Sequence, residues 1–173
     1  MNNSKIKIGI LGGSFDPPHK GHLSISKEAK KRFDLKEIIW AITKKNPFKI
    51  KSEIILSTRI KDCKKIIGLN SFIKVKFYEN IINSNRTINL INYLKKNKKI
   101  EIYFLMGADN LINFHKWHKS ELISQSCNII VFDRHGYKKD SLKSMTFKKL
   151  NKKTLTFVEF KKVNISSSKL RKI

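Results

Sequence analysis

The chain has 173 residues, 40% of them hydrophobic, and carries 38 Lys and Arg against 13 Asp and Glu, a formal net charge of +25. That size supports one domain, 1–173, with a real core, and no run approaches the roughly 20 apolar residues of a membrane span. Cys63 and Cys127 lie far apart in apolar segments, without the Cys-x-x-Cys spacing of zinc or redox sites, and read as buried reduced thiols.

Taken in order, Met1 to Lys5 lead directly into Ile6, Ile8, Ile10 and Leu11, a buried strand with no signal-peptide core before it, so a cytoplasmic protein is expected. The strand breaks at Gly12-Gly13, and a helix re-forms behind His19-Lys20-Gly21-His22, with Leu23, Ser26, Ala29 and Phe33 at helical spacing. Glu37–Ile42 is the next strand, which makes a βαβ unit and so a parallel sheet with right-handed crossovers. A loop containing Asn46-Pro47-Phe48-Lys49 precedes a helix capped by Ser52 and ending at Gly68. Phe72–Phe77 alternates as a strand, and Thr87 stands just before the periodic Ile88, Ile91 and Leu94 of a helix. Ile100–Met106 is a strand followed by Gly107-Ala108-Asp109-Asn110, the place where an open α/β sheet puts ligand contacts. Leu111–Ile123 is helical with an interruption near His115–His118, Asn128–Phe132 is a strand, and Thr154–Phe160 is the last one. Ser166–Arg171 begins a final helix. Alternating strands and helices without a repeat or linker predict a single-domain, Rossmann-like, three-layer α/β/α fold with a mostly parallel sheet.

The stretch from Gly9 to Leu23 concentrates the chemistry. Gly12 and Gly13 let main-chain N–H groups approach a ligand closely, and the helix start behind them favours an anion. His19 and His22 would project from one side of its first turn, and each, with a reference pKa of about 6.5, can donate to a phosphate oxygen, whose charge favours the imidazolium. Asp109 is suited to accept from a ribose hydroxyl, or else caps its helix. His115 and His118 have an i, i+3 spacing, but no third ligand is evident and no metal site is expected.

The string Gly-x-Phe-x-Pro-x-His-x-Gly-His resembles the signature of the nucleotidyltransferase superfamily of adenylyl- and cytidylyltransferases. Met106–His118, with Gly107, Asp109, Leu111, Phe114 and Trp117, is similar to a segment of bacterial nicotinate mononucleotide adenylyltransferases. Ile165-Ser166-Ser167-Ser168-Lys169-Leu170-Arg171 resembles the superfamily's closing Ile-Ser-Ser-Thr-x-x-Arg, with Ser168 in place of Thr. The resemblance implies a nucleotidyltransferase fold and catalysis by His19, His22 and Arg171. It also implies an ATP site of Gly12, Gly13, Ser14, Phe15, His19, His22, Asp109, Arg134, Ser166, Ser167, Ser168 and Arg171. Ser14, Lys49, Thr87, Trp117 and His118 would bind the acceptor, His118 standing where Tyr is commoner.

On this reading ATP and nicotinate mononucleotide are the small-molecule substrates, Mg²⁺ is held mainly by ATP phosphates and water, and a homo-oligomer is left open. The phosphate of the mononucleotide attacks directly, so positioning and charge stabilisation carry the catalysis. The alternatives are an adenylyltransferase acting on nicotinamide mononucleotide or phosphopantetheine, and a non-catalytic basic RNA-binding protein. The charge raises the latter. However, the lysines are spread along the whole chain, and the clusters Lys95–Lys99 and Lys148–Lys153 are expected on exposed turns, so neither a specific nucleic acid nor a membrane is expected as partner. The chain stops shortly after Arg171, which leaves a shortened helical end whose phosphate contacts are expected to order with ATP.

Overall fold

A computed structural model describes residues 4–44, 54–133, 136–150 and 154–159. Lys49, Arg134, Ser166, Ser167, Ser168 and Arg171 lie outside the described residues, as do Ser52 and the expected final helix.

The apolar run at the start forms β1 (Ile6–Gly13), and α1 (Lys20–Phe33) returns the chain to β2 (Glu37–Ile42). There follow α2 (Leu56–Ile67), β3 (Ile73–Lys76), α3 (Glu79–Ile82), α4 (Thr87–Leu94) and β4 (Ile100–Gly107). The remainder is α5 (Ala108–Asn113), a 3-10 turn over Phe114–Lys116, α6 (Ser120–Ser126), β5 (Asn128–Phe132), α7 (Lys138–Lys143), α8 (Met145–Lys149) and β6 (Leu155–Val158). The strands form one sheet in the order β3-β2-β1-β4-β5-β6, and every pairing is parallel. The order reverses between β1 and β4, and such a switch point opens a crevice at the carboxyl ends of the strands.

Alternation along the strands divides the core in two. Ile10, Ile39, Ala41, Phe104, Met106 and Val131 face a layer made by α4, α5 and α6, with Ile91, Leu111 and Ile123 buried against them. Leu11, Ile38, Trp40, Leu105 and Phe132 face the opposite layer, where α1 contributes Ala29 and α2 contributes Cys63 and Ile67. The three layers are those expected, and the sheet is wholly rather than mostly parallel.

Several boundaries move. β1 runs through Gly12 and Gly13 because their pairing with Ala41 and Ile42 continues, so the glycines end the strand rather than break it. α2 begins at Leu56 with Ile55 as its N-cap, in place of a cap by Ser52; the Ile54 N–H instead meets an Asp16 carboxylate oxygen at 3.2 Å. Lys148 and Lys149 close α8 rather than sit in a turn, where they suit its negative end. α3, α7 and α8 have four to six residues, too few to show a period. Among the described residues no helix is long and apolar enough to cross a membrane.

Both cysteines are buried and free. Burial first, then the Asp62 charge, pushes the Cys63 thiol up to about 12, and burial does the same for Cys127. A thiol raised in the folded state keeps its proton where the unfolded chain loses it, so its contribution to stability is present below about pH 9 and is lost as pH rises towards 12. Each buried thiol should therefore remove about 1.4 kcal/mol per pH unit in that window. Urea unfolding at pH 8, 9 and 10 should show the unmodified protein losing stability faster than Cys127→Ala; parallel losses would contradict this.

Candidate active site

α1 is held at its start by its own histidines. His19 is extended (φ −152°, ψ 169°) and is the N-cap. Its Nδ1 accepts from the Gly21 N–H at 3.1 Å, while the His22 Nδ1 accepts from the His19 N–H at 3.1 Å. This is a capping box made of two imidazoles instead of a hydroxyl and a carboxylate. Because a main-chain N–H donates to each Nδ1, the proton of each ring sits on Nε2. A proton on Nδ1 would cost the cap bond. With Nδ1 engaged in the cap, Nε2 is the ring atom each histidine can turn to an anion, and the imidazolium expected from the sequence concerns the phosphate-bound site.

The rings are supported from below. Their centroids lie 3.8 Å apart, and Phe15 packs against His22 at 4.7 Å and stacks on Trp40 at 5.0 Å. The Trp40 indole N–H donates to Ser26 Oγ, which donates to the His22 carbonyl, both at 2.9 Å. Phe15 is only 2% exposed and has φ +48°, a left-handed conformation costing a non-glycine residue about 1–2 kcal/mol. That conformation places its ring beneath the histidines, so Phe15 acts as a prop rather than as a ligand surface. Ser14 is likewise buried.

Two grooves open at the carboxyl edge of the sheet and meet over Gly12 and Phe104, which line both. The larger, about 730 Å³ and open to solvent, brings together His19, His22, Asp109, Trp117 and Asp133. The smaller, about 400 Å³, has Thr43, Tyr78, Glu79, Arg86 and Thr87 on its walls. Together they make two adjoining clefts, both open to solvent. Gly12 is central to the junction: its missing side chain leaves the backbone open between them.

Asp109 lies in the first turn of α5, whose N-cap is Gly107 with no side-chain cap bond, so it is not the capping residue. A Cβ on Gly107 would stand 2.5 Å from Asp109 Oδ1, and glycine is needed there for the carboxylate to sit as it does. Trp117 packs edge-on to Phe104 at 6.0 Å and against Phe114 at 5.2 Å. Thr87 starts α4 in the other groove, and His118 is exposed and lines neither. Burial raises the Tyr78 phenol, which is therefore a neutral donor at the smaller groove. His115 bonds the Ile112 carbonyl and Thr146, away from the grooves. Among the described residues no three His, Cys, Asp or Glu cluster in a way that could hold a metal ion.

Asp133 and Arg59 carry no motif in the sequence. Asp133 follows the end of β5 as Asp109 follows β4, and that parallel is its signal. Arg59 shares the buried face of α2 with Cys63 and Ile67 at a spacing of four residues, an arginine where the helical period asks for an apolar side chain.

A parallel sheet in this order, with a histidine-capped helix at its switch point, defines a nucleotide-binding α/β protein of the nucleotidyltransferase type. Residues 10–173 match a model described as cytidylyltransferase-like. The chain is 67% identical over 173 residues, all of it and 96% of the other, to a protein of Pelagibacter ubique (strain HTCC1062) named a probable nicotinate-nucleotide adenylyltransferase. It is 37% identical over 131 residues to a protein of the same name from Agrobacterium fabrum, covering 75% of this chain and 70% of the relative. Among solved structures, the Plasmodium falciparum nicotinic acid mononucleotide adenylyltransferase complexed with NaAD superposes with a TM-score of 0.81 at 25% identity, covering 96% of this chain and 82% of that one. The chain belongs to the cytidylyltransferase-like family and, within it, to the nicotinate-nucleotide adenylyltransferases.

The reciprocal cap makes a spectroscopic prediction. Two-bond ¹H–¹⁵N correlations of the ligand-free protein above neutral pH should show His19 and His22 as Nε2–H tautomers; an Nδ1–H pattern for either would contradict the cap.

Proposed function

We infer that this chain transfers the adenylyl group of ATP to nicotinate mononucleotide, giving nicotinate adenine dinucleotide and pyrophosphate. The observation that carries the reading is the junction of two grooves over Gly12, beside the His19 and His22 rings. On this reading two ligands meet there, next to the imidazole N–H donors and the helix start.

ATP occupies the groove of His19, His22 and Asp109, its ribose hydroxyls donating to Asp109. It enters as its Mg²⁺ complex, with the ion carried by phosphate oxygens and water. The acceptor occupies the Thr87 groove, its carboxylate at the N–H groups that open α4. Trp117, which lines the larger groove, and His118, which lines neither, are given the acceptor's pyridine ring and carboxylate by the family resemblance alone. Lys49 serves the mononucleotide phosphate, Arg134 the adenine, and Ser166, Ser167, Ser168 and Arg171 the β- and γ-phosphates. These roles rest on the family resemblance. ATP and the mononucleotide place the work in the cytoplasm.

A phosphate oxygen of the mononucleotide bonds to the α-phosphorus as the bridge to the β-phosphate breaks, and the electron pair leaves with pyrophosphate. The attacking group is already anionic, so no side chain need take a proton. His19 and His22 stabilise charge on the α-phosphate through Nε2–H, and in-line alignment can lower the barrier by up to roughly 7–11 kcal/mol.

Pyrophosphate release should be measured with ATP, Mg²⁺ and, separately, nicotinate mononucleotide, nicotinamide mononucleotide and phosphopantetheine. Strong preference for nicotinate mononucleotide is expected; no release with any acceptor would overturn the reading. His22→Ala should lower kcat by about 10²–10³, and near-normal turnover would remove the role given to the histidines. Gly107→Ala, by displacing the Asp109 carboxylate, should raise KM for ATP about tenfold, the cost of one hydrogen bond, while KM for the acceptor changes little. Equal effects on both would place Asp109 elsewhere in the mechanism.

A further inference from the structure

Arg59 is a charged side chain only 1% exposed, and its donors go to main-chain carbonyls. Nη1 reaches the Ser14 carbonyl at 2.5 Å and the Thr43 carbonyl at 2.8 Å, Nη2 reaches the Lys44 carbonyl at 2.9 Å, and Nε reaches the Ile54 carbonyl at 2.9 Å. Burying a cation is expensive unless its hydrogen bonds are made, and here they are made to particular places. Ser14 lies in the loop that leaves β1, two residues past the groove junction and five before His19. Thr43 and Lys44 leave β2, and Thr43 is a wall of the smaller groove.

The Lys44 peptide is gripped from both sides, because its N–H donates to the Glu79 carboxylate at 3.0 Å while its carbonyl accepts from Arg59. The Thr43 N–H also meets the Gly13 carbonyl at 3.0 Å. Arg59 thus joins the loop beside the histidines to the loop beside the second groove, and it lines neither groove itself. A planar guanidinium with five fixed donors can hold four carbonyls at once; an ammonium with three donors on a flexible stem cannot hold the same geometry.

We propose that Arg59 is a positioning residue for adenylyl transfer: it sets the two loops, and through them the two bound substrates, in the relative placement the in-line step requires. The proposal rests on the two-substrate reading given above. It assigns to Arg59 an effect on the chemical step rather than on the affinity for either substrate, since each groove keeps its own lining residues when the tie between them is cut. A displacement of about 1 Å between reacting groups can cost about 10²-fold in rate.

The test compares unmodified protein, Arg59→Lys and Arg59→Ala in steady-state pyrophosphate release with MgATP and nicotinate mononucleotide, well below each protein's melting temperature. Both variants should lose about 100-fold in kcat with each KM changed by less than about threefold. Millimolar guanidinium should restore Arg59→Ala at least about tenfold, a gain of about 1.4 kcal/mol, and leave unmodified protein and Arg59→Lys unchanged. Wild-type kcat in Arg59→Lys, a loss confined to KM, or a loss that follows the folded fraction without rescue would overturn the proposal. If Arg59→Ala does not fold, the kcat and KM of Arg59→Lys decide alone. If the unmodified protein uses nicotinamide mononucleotide instead, the variants are scored with that acceptor, so acceptor identity and the role of Arg59 fail separately. An unmodified protein inactive with every acceptor would overturn both.

Discussion

The first turn of α1 is closed by two imidazoles, His19 accepting from the Gly21 N–H and His22 from the His19 N–H, and the rest of the site is built on that closure. A serine or aspartate cap would satisfy the same N–H groups but would leave nothing directed at a ligand. A histidine has a second nitrogen, so the atom that caps the helix also fixes the proton on the other side of the ring. The first turn carries no acidic residue, and Lys30, Lys31 and Arg32 lie in the last turn. Charge along α1 therefore complements the helix dipole at its carboxyl end and leaves the amino end to an external anion.

Rigidity behind the histidines comes from the side of the sheet that faces α1. Trp40 is wholly buried and reaches the His22 carbonyl through Ser26, and the Phe15 ring fills the space between Trp40 and His22. β1 supplies the common origin. Its neighbours β2 and β4 run parallel to it, so the loops leaving all three open on one edge, and the reversal of strand order beside β1 keeps those loops apart. Beyond the bond of the Thr43 N–H to the Gly13 carbonyl, Arg59 ties the β1 loop to the β2 loop among the described residues.

The fold was largely legible because its strands are dense in Ile, Phe and Val and their alternation continues through both faces. The six strands appear in the expected order, though β3 and β6 are shorter than the alternating runs around them. The short helices were not legible: one turn such as Glu79–Ile82 has no period, and its ends are set by packing. Within the site, local signals carried His19, His22, Gly12, Asp109 and Thr87 to the two grooves. What composition and spacing did not reveal was the direction in which each ring faces, since the tautomer follows from hydrogen bonds between main chain and side chain. Nor did they reveal Arg59, whose acceptors lie 5 to 45 residues away and are main-chain atoms that leave no mark in a sequence.

The large positive charge bears on the site less than its size suggests. Exposed lysines act through water and salt, and at physiological ionic strength their influence fades over about 8 Å. They raise the frequency of encounter with anionic ligands, yet they discriminate little between one phosphate and another. Arg59 is different in kind because it is shielded from salt and fixed by four acceptors. A buried cation ordinarily pairs with a carboxylate, and that pairing would cancel its field. Here its hydrogen bonds go to main-chain carbonyls, while the Glu79 and Asp16 carboxylates take the Lys44 and Ile54 N–H groups beside them. The same side chain holds both loops in place from outside the grooves, which a surface of lysines, however dense, does not achieve.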